Sequence, residues 1–222
     1  MALATDYDGT IADRGRVDDR TLEALQRGSD AGLRLVLVTG RRLDDLLEVF
    51  PDAGVFDRIV AENGALLHDP STSTSRLLAA PPPPHFLRAL DERRVPVAVG
   101  RSIVATSVPH DVALLSAIRE LGIDWHVIFN KGSAMALPSG VTKATGLVAA
   151  LAELQVPPER TVGVGDAEND RAFMQMCGLR VAVSNALPAV KADAHVVTAG
   201  ACGDGVRELM IRILSEATAD SM

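Results

Sequence analysis

Hydrophobic residues in the first part of the chain fall into two alternating patterns. Short apolar runs at residues 2–5, 33–38 and 58–61 are typical of buried strands. Between the first two runs, residues 19–31 place apolar side chains at helical spacing and stop before Gly32, which suits a helix end. Strands that alternate with helices in this way indicate a parallel sheet covered by helices.

The pattern changes at the four prolines of residues 81–84, which can enter neither a helix interior nor a central strand. We expect a stiff linker there. The positions after it predict two helices and four strands, which describes a small α+β unit with an antiparallel sheet. The predicted elements cover residues 85–93, 95–99, 102–107, 110–121, 125–130 and 133–137.

From Thr142 the first pattern resumes, with helices and strands in alternation. The sequence therefore predicts an α/β fold with a doubly wound, mostly parallel, Rossmann-like sheet. Residues 1–81 and 139–222 form this core, and an α+β domain is inserted at residues 82–138. Further predicted core elements cover residues 44–50, 65–68, 142–154, 161–164, 170–176, 179–183, 188–192, 195–197 and 204–214.

Composition narrows the classes of function. The 222 residues are 47% hydrophobic and 23% charged, values that are ordinary for a folded protein. A net charge of −7, an aromatic content of 3% and the lack of a basic stripe argue against nucleic acid as a partner. The sequence has no apolar run that approaches the ~20 residues of a membrane span and no signal-peptide pattern. Since Cys177 and Cys202 fit no CxxC pair or disulfide framework, we expect a cytoplasmic protein without membrane association.

Polar residues cluster directly after four of the predicted strands, and a lysine opens the first helix after the insert. These residues are Asp6 with Asp8, residues 39–41, Glu62 with Asn63, Asp166 with Asp170, and Lys143. Ligands bind at the carboxyl ends of the strands in open α/β sheets, so we expect the clusters to converge at one edge. Crowded carboxylates repel one another unless a cation lies between them, and oxygen-rich acidic sites suit Mg²⁺.

Each candidate also has a purely structural interpretation, as a turn, cap or surface residue. These are turn aspartates for Asp6 and Asp8, a solvated lysine for Lys143, a strand-end hydroxyl for Thr39, a helix N-cap for Asn169, and a tight turn for Glu62 with Asn63. Their common position after predicted strands favours a site, because convergent acids mark functional sites.

Four ordered motifs resemble those of the haloacid dehalogenase-like phosphatases. They are Asp6-Tyr7-Asp8-Gly9-Thr10, Val38-Thr39-Gly40-Arg41, Lys143, and Gly165-Asp166-Ala167-Glu168-Asn169-Asp170. An insert between the second and third motifs, together with Glu62-Asn63-Gly64-Ala65, resembles the Cof-type branch, in which the insert is a class IIB cap domain. The chain departs from the family pattern at Ala167, where asparagine is frequent, and after Lys143, where glycine is usual.

The resemblance implies a Mg²⁺-dependent phosphomonoester hydrolase. Asp6 would be the nucleophile that forms an aspartyl-phosphate, and Asp8 would be the general acid and base. Mg²⁺ would be held by Asp6, the backbone carbonyl of Asp8 and Asp166, with Asp170 ligating directly or through water. The phosphoryl oxygens would be bound by Thr39, Gly40, Lys143 and Asn169.

The resemblance also implies a cap that closes over the core and selects the substrate. Arg101, His126 and Lys131 are candidates for that selection. The compact chain is similar to the archaeal-type phosphoglycolate phosphatases, which favours a small phosphorylated metabolite, first phosphoglycolate and then a sugar phosphate. Two alternatives stay open: a phosphotransferase or phosphomutase of the same superfamily, and a non-catalytic Mg²⁺-binding interaction module. The sequence does not indicate an oligomeric state.

Overall fold

A computed structural model describes residues 1–130 and 132–219 of the chain, with side chains described through residue 215. The strands of the described ranges are β1 (Ala2–Thr5), β2 (Arg34–Val38), β3 (Arg58–Ala61), β4 (Leu66–Asp69), β5 (Thr74–Leu77), β6 (Ala98–Val99), β7 (Val104–Ser107), β8 (Trp125–Asn130), β9 (Ser133–Pro138), β10 (Thr161–Gly165), β11 (Leu179–Ala182) and β12 (Val196–Val197). The helices are α1 (Asp19–Asp30), α2 (Leu43–Val49), α3 (Pro84–Glu92), α4 (Asp111–Leu121), α5 (Lys143–Leu154), α6 (Arg171–Met176), α7 (Pro188–Asp193) and α8 (Cys202–Ala219).

The larger sheet has the strand order β12-β11-β10-β1-β2-β3-β4-β5 in the described chain. Pairing is parallel from β12 to β3, while β4 and β5 add an antiparallel edge. Every residue of β1 is buried. Since neighbouring residues of a strand point to opposite faces, both faces of the sheet are covered. The doubly wound, mostly parallel fold is confirmed.

Two helices of the larger domain begin at a side-chain cap. The Asp18 carboxylate accepts a hydrogen bond from the Thr21 backbone N–H at 2.8 Å and caps α1. Thr142 caps α5 in the same way through the N–H of Thr145, with the Thr145 hydroxyl within 3.0 Å of the Thr142 N–H. This reciprocal cap begins α5 at Lys143, so the lysine lies in the first turn of the helix.

The smaller sheet has the order β6-β7-β9-β8 and is antiparallel throughout the described residues. Helices α3 and α4 cover one side of it, with Phe86, Leu90 and Leu114 in a separate hydrophobic cluster. A third cluster, formed by Ala65, Ile103, Met135 and Leu137, joins the smaller sheet to the hairpin of β3 and β4. The unit therefore has its own core and is also packed against the larger sheet.

Three strands differ from the sequence-based expectation. β5 was not predicted, because it is an exposed edge strand whose polar residues show no alternation of apolar positions. β6 starts only at Ala98, since Pro96 lacks the N–H that a strand needs. β7 starts at Val104 instead of residue 102, because the N–H groups of Ser102 and Ile103 donate to a side chain of the larger domain.

Candidate active site

Strand register brings the two pairs of aspartates together. β1 and β10 are adjacent and parallel, with Thr5 opposite Val164, so Asp6 and Asp166 leave the sheet at the same edge. The Asp6 N–H donates to the Val164 carbonyl at 3.0 Å, which fixes the chain at the point where it turns out of the sheet. Convergence at the carboxyl ends of the strands is therefore as the sequence predicted.

A buried charge cluster lies at this edge. The Lys143 ammonium donates to Asp6 Oδ1 at 2.5 Å and to Asp170 Oδ1 at 2.6 Å. Asp170 Oδ2 accepts from the backbone N–H groups of Asp166 and Ala167 at 3.0 and 2.9 Å. The four charged residues of this cluster, Asp6, Lys143, Asp166 and Asp170, are each at most 5% exposed. Lys143 is thus no solvated surface lysine, and Asp6 is no exposed turn residue.

Burial sets the protonation of this cluster. It raises the pKa of Asp6 from 3.8 to about 7, reinforced by the negative charge of Asp170 and opposed by Lys143. Burial lowers the pKa of Lys143, but the charges of Asp170 and Asp6 outweigh it, so the lysine pKa lies above its ordinary value. One ammonium therefore does not fully compensate the carboxylates, and a further cation would favour the ionised form of Asp6.

The carboxylates fit a divalent cation. Asp6, Asp166 and Asp170 each offer an oxygen, and these oxygens lie within 4.8 Å of one another. The Thr10 hydroxyl lies 3.3 Å from Asp6 Oδ2 and 3.5 Å from Asp166 Oδ1. A set of donors made of carboxylate oxygens suits a hard ion such as Mg²⁺ and disfavours soft metals. The residues present thus match the predicted magnesium site.

Asp8 is paired with Arg41, the last residue of the second sequence motif. Its Oδ2 and Oδ1 accept from Nε and Nη2 of Arg41, both at 2.7 Å. The Asp8 side chain is 36% exposed and borders the cleft. The sequence contains a signal for this pairing, because Asp8 follows β1 and Arg41 follows β2. Since β1 and β2 are adjacent and parallel, the residues after them lie at the same edge of the sheet.

Three further candidates lie around the cluster with different contacts. The buried Thr39 hydroxyl accepts the Arg41 N–H at 3.1 Å, and Gly40 borders the cleft. Asn169 is no helix cap: its Nδ2 donates to Asn63 Oδ1 at 3.1 Å, while its own Oδ1 is buried and has no partner in the described residues. A Cβ at position 40 would lie 3.1 Å from Asn63 Oδ1, so glycine allows this close approach.

Glu62 connects the two domains, a role that the sequence analysis missed. Its carboxylate accepts the N–H groups of Arg101 at 2.9 Å, Ser102 at 2.8 Å and Ile103 at 3.1 Å, all in the smaller domain. The segment is a tight turn as expected, with φ near +53° at Glu62 and +52° at Asn63. The turn thus aims a buried carboxylate at the inserted domain.

A cleft of about 350 Å³ separates the charge cluster from the smaller sheet. The larger domain contributes mostly charged residues, namely Asp6, Asp8, Gly40, Arg41, Arg42, Asp45 and Lys143. The smaller domain contributes neutral residues, namely Ala98, Ile103, Ala105, Asn130, Ser133 and Met135. Volume and lining suit a small polar ligand held by its charged end.

Two of the residues proposed for substrate selection, Arg101 and His126, do not line the cleft. The Arg101 guanidinium is half exposed and lies 4.0 Å from Asp44. His126 is half-buried on β8, and its Nδ1 has no partner among the described residues. Lys131, the third candidate, lies outside the described residues.

Comparison with known proteins identifies the family. The family model of the haloacid dehalogenase-like hydrolases matches residues 3–99 and 114–210. The chain belongs to this family. A phosphoglycolate phosphatase of Methanothermobacter thermautotrophicus is 30% identical over 96% of this chain and 98% of its own. A phosphoglycolate phosphatase of Pyrobaculum aerophilum is 31% identical over 96% and 95%. This haloacid dehalogenase-like hydrolase is thus a phosphatase, as the resemblance implied.

Solved structures agree on the fold of this haloacid dehalogenase-like hydrolase. A family member from Bacteroides thetaiotaomicron superposes with a TM-score of 0.81 at 20% identity, over 96% of this chain and 98% of the other. A sugar phosphatase of subclass IIB gives a TM-score of 0.76 at 19% identity, over 96% and 98%. The fold that the resemblance implied is confirmed. Among the described residues, the helices are too short or too polar to cross a bilayer.

Proposed function

We propose that this phosphatase is a Mg²⁺-dependent phosphomonoester hydrolase that acts through an aspartyl-phosphate on Asp6. The observation that carries the proposal is the buried Asp6 carboxylate, which borders the cleft and lies 2.5 Å from the Lys143 ammonium. Asp6 would attack phosphorus, form a new P–O bond and displace the ester oxygen. Water would then attack the same phosphorus, release inorganic phosphate and regenerate Asp6.

Asp8 is the proposed proton donor to the leaving ester oxygen and the proton acceptor from the attacking water. Its side chain borders the cleft and is bound to Arg41. In the structure both of its oxygens accept hydrogen bonds from Arg41. The acid role therefore requires this ion pair to loosen when the ester binds.

The remaining candidates would hold the phosphoryl group and the cation. Lys143 would offer its ammonium to a phosphoryl oxygen, and Thr39, Gly40 and Asn169 would bind the remaining phosphoryl oxygens. Lys143 and Gly40 line the cleft. Asp6, Asp166 and the backbone carbonyl of Asp8 would hold Mg²⁺, with Asp170 bound directly or through water. The ion, when bound, would offset the repulsion between the carboxylate and the anionic phosphate.

We further propose that residues 82–138 act as the cap and that the substrate is a small phosphorylated metabolite. Phosphoglycolate is the first choice, because two relatives that match nearly the whole chain are named for it. A sugar phosphate is the second. The neutral wall of the smaller domain and the modest cleft favour small substrates over nucleic acid.

A phosphate-release screen tests this proposal. Purified protein with Mg²⁺ is given phosphoglycolate, sugar phosphates and nucleotides, with EDTA as the control and an acceptor sugar in parallel. We expect phosphoglycolate to give the highest kcat/KM, EDTA to abolish release and added Mg²⁺ to restore it. Activity that survives chelation would remove the metal from the proposal. Transfer of phosphate to the sugar instead of water would identify a phosphotransferase.

A further inference from the structure

The guanidinium of Arg41 lies at the side of the cleft where Asp8 lies, against the ring of Tyr7. Its carbon lies 5.2 Å from the centre of the Tyr7 ring, a cation–π contact. The ring is fully buried, and its hydroxyl donates to the Gly15 carbonyl at 3.1 Å. With Asp8 bound at Nε and Nη2, the group is fixed on two sides and still borders the cleft.

Arg41 differs from the other described cations of the cleft in its free donors. An arginine has five N–H donors, and Asp8 takes one each from Nε and Nη2, while Nη1 has no acceptor among the described residues. Arg42 uses Nε and Nη2 on Asp45 and Nη1 on the Val99 carbonyl. The Lys143 ammonium is bound to two carboxylates. Of these three, Arg41 has an edge left for another anion.

On the wall of the cleft that belongs to the smaller domain, none of the described residues carries a charge that could bind a second acidic group of the substrate. The polar side chains of this wall are those of Asn130 and Ser133, and the rest are apolar. Among the described residues that line the cleft, a carboxylate therefore finds a charged partner only on the larger domain. Arg41 lies beside Asp8, the residue proposed to serve the leaving ester oxygen, so a carboxylate attached close to that oxygen falls nearest to Arg41.

We propose that Arg41 is a specificity-determining residue that binds a carboxylate of the leaving group through its free guanidinium edge. Phosphorylated small hydroxy acids are then the preferred substrate class. This inference rests on the proposed function, since it assumes that the ester oxygen leaves beside Asp8. A planar guanidinium suits a carboxylate because two parallel N–H donors match its two oxygens.

A matched pair of esters tests the inference. Phosphoglycolate and 2-hydroxyethyl phosphate have the same length, but the first ends in a carboxylate and the second in a hydroxymethyl group. We expect the wild type to favour the acid in kcat/KM by roughly 30-fold, the typical effect of one charge-assisted contact. Arg41→Met should remove that preference, mainly through the KM of the acid, while any loss from the broken bond between Arg41 and Asp8 affects both esters equally. Arg41→Lys should retain part of the preference.

Controls separate this role from its rivals. Arg101→Met removes a nearby cation that does not line the cleft and should keep the wild-type preference. A wild type without preference, or equal losses on both esters in Arg41→Met, would overturn the inference. Loss of the preference in Lys131→Met with retention in Arg41→Met would overturn it too, by placing the determinant elsewhere.

A binding measurement keeps the inference separate from the proposed reaction. Calorimetry compares 3-phosphonopropionate with propylphosphonate, two phosphonates that cannot be hydrolysed as esters. We expect the first to bind wild type roughly tenfold more tightly and to lose that advantage in Arg41→Met. Equal affinities in the wild type would refute the role of Arg41 even if the esters are hydrolysed. Unequal affinities without any ester hydrolysis would instead refute the proposed function alone.

Discussion

The two walls of the cleft are built on different principles. The wall of the larger domain carries a buried charge cluster whose members are fixed by strand ends, helix starts and one another. The wall of the smaller domain is neutral and is formed by short antiparallel strands. Under the proposed function, the larger domain would hold the reactive groups in place, whereas the smaller domain would shape the space around them.

Among the substitutions that test this difference between the two walls, Lys143→Met should have the largest effect. The substitution roughly keeps the length of the side chain and removes its charge. We expect kcat/KM to fall by roughly 10³-fold, because a donor to the reacting phosphate is lost. In EDTA, the free energy of unfolding should fall by about 3–5 kcal/mol, because the carboxylates of Asp6 and Asp170 stay buried without their partner. Lys191→Met, a half-buried lysine on α7, serves as the control and should change little.

The loss of stability in Lys143→Met should depend on pH. The folded-state pKa of Asp6 is raised from 3.8 to about 7, so its ionised form costs stability that accumulates between those values as pH rises. Without Lys143 this cost grows, and thermal unfolding should show a larger deficit at pH 8 than at pH 5. A deficit that is the same at both values would show that Lys143 does not compensate Asp6.

A smaller effect on activity and stability is expected for a substitution at Glu62, which connects the two domains. Glu62→Gln keeps the shape but replaces one carboxylate oxygen with an amide donor that faces N–H groups of residues 101–103. We expect a stability loss of about 1–3 kcal/mol and a roughly tenfold lower kcat/KM, with faster amide exchange at residues 101–103. Glu48→Gln, on an exposed face, is the control. Unchanged exchange and activity would show that Glu62 does not hold the smaller domain.

Sequence reasoning predicted the convergence of the charged residues at one edge of the sheet, for a topological reason. Parallel strands must end at the same edge, so Asp6 and Asp166 converge although 160 positions separate them. The prediction needed only strand order and the position of each polar residue. The alternation of strands and helices predicted the doubly wound sheet on the same basis.

The contacts that join the walls were not predictable in this way. The Glu62 carboxylate reaches residues 101–103 because a turn with positive φ aims it there, and such a long-range contact leaves no periodic pattern in the sequence. The pairing of Arg41 with Asp8 depends on side-chain direction across adjacent strands. The neutral wall likewise depends on which face of each short strand meets the cleft.

The most direct test of the central claim, that Asp6 attacks phosphorus, is phosphate release by Asp6→Asn. This variant should fold normally, because the amide removes a buried charge while Lys143 keeps Asp170 as its partner. We expect kcat to fall by at least about 10⁴-fold, since the amide is a poor nucleophile. A correctly folded variant, judged by circular dichroism and thermal unfolding, that retains more than a few per cent of wild-type turnover would contradict the account.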